Sequence, residues 1–335
     1  MFVDVVNEKS EWRSLLGEFS SYDFVHTYDF HRLSQLNGEG EPVMYVLKDE
    51  KNKPLLSWQT LKRPIEGTPY VDLSSVYGYG GPLFSDSCDL PSRFSMVWQR
   101  MKDDGAVSLF SRMHPLFVEA INIDELKGER LGDVVIIEVE QGDEVTSHYR
   151  GSHRREIVNA LNSGLEITVD LDFKSIGDFY SIYRQSMLDL NASNYYMFSM
   201  EYFYRLVSCE DFKVFLIFAE LDGKKIAASM FVVTGEIMQY YLSGTVLAHR
   251  KIASSKAIIA KAHELARGLG VKKLVLGGGV GSEKDALFKF KSGFSKITKP
   301  FYITKKVLNE SLYEQLCAAR SGGSRKSGLF PEYRG

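Results

Sequence analysis

The sequence predicts an α/β protein made of two tandem copies of one domain, and three observations predict it. The chain has 335 residues, where an average domain has about 100–200. One order of elements occurs in both halves: helix, helix, strand, tight turn, strand, strand, helix, strand. Matching segments also keep a nearly constant separation. The turn lysines Lys53 and Lys224 lie about 170 positions apart, and so do the segments Asp29–Leu33 and Tyr202–Leu206.

Each element follows from local pattern. Trp12, Leu15, Leu16 and Phe19 recur at helical spacing in the first half, as Ile258, Ala262, Leu265 and Leu269 do in the second. Tyr45 to Trp58 reads as an apolar strand, a polar turn ending in Lys53, and a second strand; Leu216 to Ser229 repeats this around Lys224. A helix from about Ser92 to Asp103 passes through Gly105 into a strand at Val107. Its counterpart runs from about Ser254 to Arg267, then through Gly270 into Lys273–Leu276. The polar stretch Gln141-Gly-Asp-Glu144 marks the boundary. The expected domains are therefore 1–143 and 144–317, followed by a flexible Gly-, Ser- and Arg-rich tail over 318–335.

Composition narrows the function. Apolar residues make up 44% and charged residues 25%, enough for two cores and too ordered for a disordered chain. A formal net charge of −2 argues against a surface built wholly to grip nucleic acid. Cys88, Cys209 and Cys317 are scattered, with no CxxC pair, so a disulfide framework or structural zinc is not expected and a reducing cytoplasm is. No basic-then-apolar leader opens the chain, and no apolar run approaches the ~20 residues that span a bilayer. The histidines show no metal-ligand spacing, and no GxSxG or HExxH occurs, so no metal is expected.

Four segments can carry chemistry. Arg250-Lys251-Ile-Ala253-Ser254-Ser255 opens an amphipathic helix; small residues behind two basic ones let backbone N–H groups approach a phosphate. An ordinary capped helix start is the competing reading. Gly277-Gly278-Gly279-Val-Gly281 follows a strand and fits neither GxxxxGK[ST] nor GxGxxG, leaving a bend or a close approach to a ligand. Tyr77-Gly-Tyr79-Gly80-Gly81 alternates aromatics with open backbone, suited to a sugar or peptide, or to a stapled turn. Arg150, His153, Arg154 and Arg155 crowd a helix start that can hold phosphate or simply face solvent.

Taken together, Gly78–Pro82, Arg154–Leu165, Asn194–Phe198, Tyr241–Thr245, Gly277–Gly279 and Leu287–Phe294 resemble the tandem GNAT-fold acyltransferases of the FemABX and BioF-like group, over about residues 75 to 300. The resemblance implies two GNAT-like domains, each a mixed, mostly antiparallel sheet flanked by helices. It implies an N-acyltransferase using acyl-CoA, such as acetyl-CoA, as co-substrate, held by Arg250, Lys251, Ala253, Ser254 and Ser255. Ala and Ser stand where that motif usually carries glycines. The acceptor implied is the amine of an amino sugar on a nucleotide or lipid carrier in envelope polysaccharide assembly, contacted by Tyr77, Tyr79, Gly80, Arg154, Tyr196 and Gly278. Phe290 and Lys291 match the pair at the reacting centre, and Tyr241 is a further catalytic candidate. Tyr241, Glu283, Asp285 and His153 all remain chemically possible as general base. A charged-tRNA-dependent transferase extending peptidoglycan bridges, and a non-catalytic saccharide- or partner-binding module, are the alternatives.

Overall fold

The computed structural model describes residues 1–85, 91–118, 123, 126, 128–140, 144–320 and 329–335. The chain begins β1 (Phe2–Val6), α1 (Lys9–Leu16), α2 (Tyr28–Leu36), β2 (Glu41–Lys48), β3 (Pro54–Pro64), β4 (Val71–Ser74), β5 (Pro82–Phe84), α3 (Pro91–Asp103) and β6 (Ala106–Arg112). It continues β7 (Gly128–Glu138), α4 (Gly151–Asn162), β8 (Glu166–Asp170), α5 (Ile176–Asp189), α6 (Met200–Val207), β9 (Lys213–Leu221), β10 (Lys224–Thr234) and β11 (Ile237–Thr245). It ends α7 (Ser254–Gly268), β12 (Lys273–Gly277), α8 (Ala286–Lys291), β13 (Thr298–Val307) and α9 (Glu310–Arg320).

Two units form. Met1–Leu131 with Pro300–Gly335 make the first, and Gly132–Lys299 the second. In the first the strand order is β1-β2-β3-β4-β6-β13 with β5 added on β3, antiparallel except for β4 with β6. In the second it is β8-β9-β10-β11-β12-β7, antiparallel except for β11 with β12. The topologies match, as expected: each unit carries a mixed, mostly antiparallel set of strands with helices on its faces.

Residue choice explains the repeated parts. Between β9 and β10, Asp222 and Gly223 both take positive φ, 50° and 71°, which the tight hairpin turn requires. The corresponding turn of the first unit uses Asp49, whose carboxylate accepts from the N–H groups of Lys51 at 2.8 Å and Lys53 at 2.9 Å. Strand β2 is apolar on both faces because both are covered. Val43, Tyr45 and Leu47 pack with Phe94, Val97 and Met101 of α3, while Met44 and Val46 pack with Trp12, Leu15 and Leu16 of α1. In the second unit Ile217, Phe231, Met238 and Leu274 bury against Ile258, Ile259 and Ala262 of α7. Burial of each large side chain stabilises by about 1.5–3 kcal/mol.

The structure corrects the boundaries. The chain divides within β7 and within β13, not at 143/144. Strand β13 follows β12 in the chain but completes the first sheet, pairing Ile303–Val307 with Arg112–Ser108. Strand β7 follows β6 but pairs with β12, placing Ile137 opposite Leu274 and Ile136 opposite Val275. An apolar strand reads alike whichever sheet it joins, so sequence adjacency assigned both to the wrong unit.

The flexible tail is also corrected where it is described. Residues 318–320 end α9, 321–328 lie outside the described residues, and 329–335 are packed. Tyr333 is 2% exposed, with its Oη 2.8 Å from Ser108 Oγ. Arg334 Nε donates to Asp72, a fully buried carboxylate that also accepts from Arg63 at 2.6 Å. Phe330 stacks on Tyr313 with ring centroids 5.9 Å apart.

Two predictions follow from burial. Tyr333→Ala should destabilise the first unit by about 3 kcal/mol, read by chemical denaturation. His31, 1% exposed, has its pKa pushed from 6.5 down to about 4 by burial, against a hydrogen bond to the Thr27 carbonyl. Between those values the unfolded chain takes up a proton that the folded chain refuses. Stability should therefore fall by about 3 kcal/mol as pH drops from 6.5 to 4, and His31→Gln should flatten that slope in pH-dependent melts.

Candidate active site

The site of the second unit begins where two parallel strands part. Strands β11 and β12 pair at Ile237–Lys273, Met238–Leu274 and Gln239–Val275, and no further. Strand β11 continues to Thr245 while still paired with β10. There Met230 lies opposite Leu242 and Phe231 opposite Tyr240, which leaves Tyr241 as the extra residue of a β-bulge. A bulge bends its strand and re-aims a side chain. The register of β12 on β7 also shifts, between Val275 and Gly277. Both strands thus deform at the point of divergence, opening a wedge between Tyr240–Thr245 and the end of β12.

One wall of the wedge leads to α7. After β11 the chain makes a short turn at Leu247–His249 and enters α7 behind Ala253, which offers no side-chain cap. First-turn N–H groups therefore point outward under the positive end of the helix dipole. Ser254 is fully buried and its Oγ has no hydrogen-bond partner, while Ser255 Oγ lies 3.1 Å from Thr245 Oγ1. Arg250 and Lys251 are exposed at this turn, with Arg250 3.8 Å from the Asp189 carboxylate. All five residues expected to hold the donor therefore gather at one helix start. Gly244, just upstream, is required by packing. A Cβ there would come within 2.7 Å of the Ile182 carbonyl and 2.9 Å of Tyr183 Cα on α5.

The other wall is the glycine run. Gly277 has φ 87°, and a Cβ on Gly279 would lie 2.1 Å from the Glu283 carbonyl. Asp285 caps α8, accepting from Phe288 N at 2.8 Å and Val280 N at 3.2 Å. Those hydrogen bonds, that to Phe288 first, hold its carboxyl below the usual range. The fold thus uses Asp285, a candidate base, as a helix cap. Lys291 is 8% exposed and returns to the strand end, its Nζ donating to the Gly278 carbonyl at 2.7 Å. Burial pushes its pKa down to about 8, opposed by Asp285. Lys291 and Gly278 are thereby joined, and Lys291 is not a solvated helix lysine.

A lock holds this turn. His153 of α4, whose pKa is lowered by burial, places Nε2 2.9 Å from the Phe290 carbonyl, and Arg150 N donates to the Gly293 carbonyl at 2.8 Å. Phe290 packs beside the core, its ring 5.9 Å from His153 and 5.4 Å from Phe294. Behind the bulge, Tyr241 Oη lies 2.6 Å from Tyr202 Oη on α6, and Tyr202 stacks on Phe198 at 4.3 Å. Tyr183 Oη donates to the Tyr196 carbonyl at 2.8 Å, fixing the exposed Tyr195–Tyr196 segment. Sequence reasoning missed Tyr202 and Asp189 as members of this neighbourhood. Tyr202 appeared there only as part of the repeat, since a hydroxyl pair across two elements leaves no local pattern.

The remaining expected residues are Arg154 of the second unit and three residues of the first. Arg154 is exposed on α4, with a long contact of 3.5 Å to the Ser147 carbonyl. Tyr77, Tyr79 and Gly80 belong to the β4–β5 loop of the first unit. Tyr79 packs on Phe301 at 5.1 Å and near His114 at 6.3 Å, and His114 Nε2 in turn lies 2.9 Å from Asp23. A first-unit cavity of about 340 Å³, bordered by Arg32, Glu41, Lys62 and Asp104, is lined by none of the expected residues. Among the described residues no His, Cys, Asp and Glu group is arranged to hold a metal ion.

Searches against family models and against curated protein sequences return no match. Solved structures do match. The chain superposes on FemX with a TM-score of 0.71 at 12% identity, covering 93% of this chain and 99% of that one. It also matches L-PGS from Bacillus licheniformis, with TM-score 0.60, 11% identity and coverage of 92% and 95%. A third match is the C-terminal DUF2156 domain of a putative lysylphosphatidylglycerol synthetase from Agrobacterium fabrum, at 0.55, 15%, 94% and 97%. At 11–15% identity these likenesses define a fold: two units of one α/β topology in tandem. More particularly, the chain has the FemX-type fold over nearly its whole length.

Gly293 gives a direct test of the lock. A Cβ there would sit 2.2 Å from His153 Nε2, so Gly293→Ala should cost about 1–3 kcal/mol. His153→Ala in the same chain should recover most of it, measured as a coupling energy in a double-mutant cycle.

Proposed function

We propose that this protein is an N-acyltransferase that moves an acyl group from acyl-CoA to the amine of an amino sugar or a related envelope precursor on a nucleotide or lipid carrier. The single observation carrying this reading is the wedge between β11 and β12, with an uncapped helix start on one wall and a buried lysine on the other. Anionic phosphates suit the α7 start, where Ser254 Oγ lacks a partner and Arg250 and Lys251 add positive charge. The small side chain of Ala253 leaves the backbone accessible. The chemical class of acyl-CoA fits this donor set.

Amine attack on the thioester carbonyl forms a C–N bond and breaks the C–S bond, through a transition state that places negative charge on oxygen. Holding both reactants in the wedge supplies alignment, worth several kcal/mol through effective molarity. Lys291 carries a positive charge at neutral pH, with a pKa of about 8, and stands at the end of β12 as the electrostatic stabiliser. Backbone N–H groups after Gly244 assist. In this reading the Tyr241 hydroxyl, which shares a hydrogen bond with Tyr202, gives a proton to the leaving sulfur, while the attacking nitrogen releases its proton to solvent.

A charged tRNA as donor is the second reading. It is favoured by Ala253 and Ser254 standing where a CoA-binding turn usually has glycines. A thermal shift with acetyl-CoA supports the first reading. No shift, together with turnover from charged tRNA, supports the second.

Lys291→Ala should cut turnover at least about tenfold with the melting temperature retained. Because deprotonation removes its charge, wild-type turnover should fall as pH rises through about 8, and Lys291→Arg should abolish that alkaline limb. Unchanged turnover in Lys291→Ala removes Lys291 from the mechanism.

A further inference from the structure

The second unit carries an apolar rim that its core does not use. Leu188 and Leu190 at the end of α5 are 48% and 58% exposed, Tyr195 and Tyr196 are 44% and 36% exposed, and Leu247 is 57% exposed. They belong to one neighbourhood. Asp189, between the two leucines, lies 3.8 Å from Arg250, the residue that ends the Leu247 turn. The Tyr196 carbonyl is tied back to Tyr183 of the same helix at 2.8 Å, and the two exposed tyrosine rings meet edge to face at 5.6 Å. Leucines exposed to this degree cost solubility without adding to the fold, so something outside the unit accounts for them.

Charge says what that is. Arg184, one helical turn before Leu188, is exposed, as are Arg250 and Lys251. Across Arg184–Met197 and Val246–Lys256 the one acid is Asp189, which Arg250 neutralises. Leucines that insert, tyrosines with an apolar body and a polar tip, and flanking cations form the composition of a surface that lies in a lipid headgroup region. Area points the same way. Five side chains at about half exposure present on the order of 400 Å² of surface, well under the ~800 Å² that each partner of a stable protein complex buries.

We propose that this rim, Leu188–Leu190, Tyr195–Tyr196 and Leu247 with Arg184, Arg250 and Lys251, docks the second unit on an anionic lipid bilayer. Docking there sets the α7 start and the β11–β12 wedge close to the headgroup plane. This inference goes beyond the acyl-transfer reading and stands without it, because its test reads binding and not turnover.

The 335-residue chain is sedimented with vesicles of equimolar phosphatidylglycerol and phosphatidylcholine, and separately with phosphatidylcholine alone. The bound fraction should be at least about tenfold higher on the anionic vesicles and should fall as salt is raised. The double variant Leu190→Asp/Leu247→Asp should lose at least about tenfold of that binding with its melting temperature unchanged. Light scattering in parallel reports self-association. The proposal is overturned if wild type stays in the supernatant, binds both vesicle types equally, or is matched by the double variant. It is also overturned if the double substitution instead dissociates a dimer.

Discussion

Everything at the candidate site depends on β11 and β12 ceasing to pair after Gln239 and Val275. A parallel pair that continued would fill the space between them with its own hydrogen bonds and leave no room for a ligand. Parting costs those bonds, and the surrounding elements offset the loss. The bulge at Tyr241 keeps β11 on β10 while turning it aside. Gly244 lets α5 approach within van der Waals contact of the diverging strand. Tyr241 then finds Tyr202, so the re-aimed hydroxyl is not left unsatisfied.

The glycines around β12 act through the same constraint. Gly277 and Gly279 let the chain turn sharply enough for α8 to begin at Asp285, and six residues suffice to bring Lys291 back over the Gly278 carbonyl. A lysine nine-tenths removed from water is costly unless its charge has a use or a partner. Here the carbonyl supplies one hydrogen bond and Asp285 a partial counter-charge, which leaves the ammonium poised and not quenched. His153 and Gly293 hold the far end, so that the position of Lys291 is set by packing and not by its own flexible stem.

In the first unit the same topology carries different side chains. The first unit carries a buried set of Asp23, His26 and His114 beside Tyr79, with Gly78 and Gly81 at positive φ. Burial holds His26 well below its usual pKa, so that imidazole packs as a neutral ring beside His114. Its last strand and its clip, Tyr333 and Arg334, come from the far end of the chain. The two units thus share one strand order and carry different side chains.

The repeat, the helices with their three- and four-residue apolar spacing, the Asp-Gly and Asp-containing hairpin turns and the two-domain α/β class were all legible in the sequence, because each is enforced within a few residues by dihedral preference and alternation. So was the gathering of Arg250 to Ser255, which are neighbours in the chain. What the sequence could not decide was any matter settled between distant segments. Strand β13 joins β6 and not β12, Tyr333 finds Ser108, Tyr241 finds Tyr202, and Asp285 serves as a cap under a buried Lys291. Hydrogen-bond partners and burial between separate elements leave no periodic trace, whether 13 positions apart as in Gly278–Lys291 or 225 as in Ser108–Tyr333, and only the folded chain brings them within reach of one another.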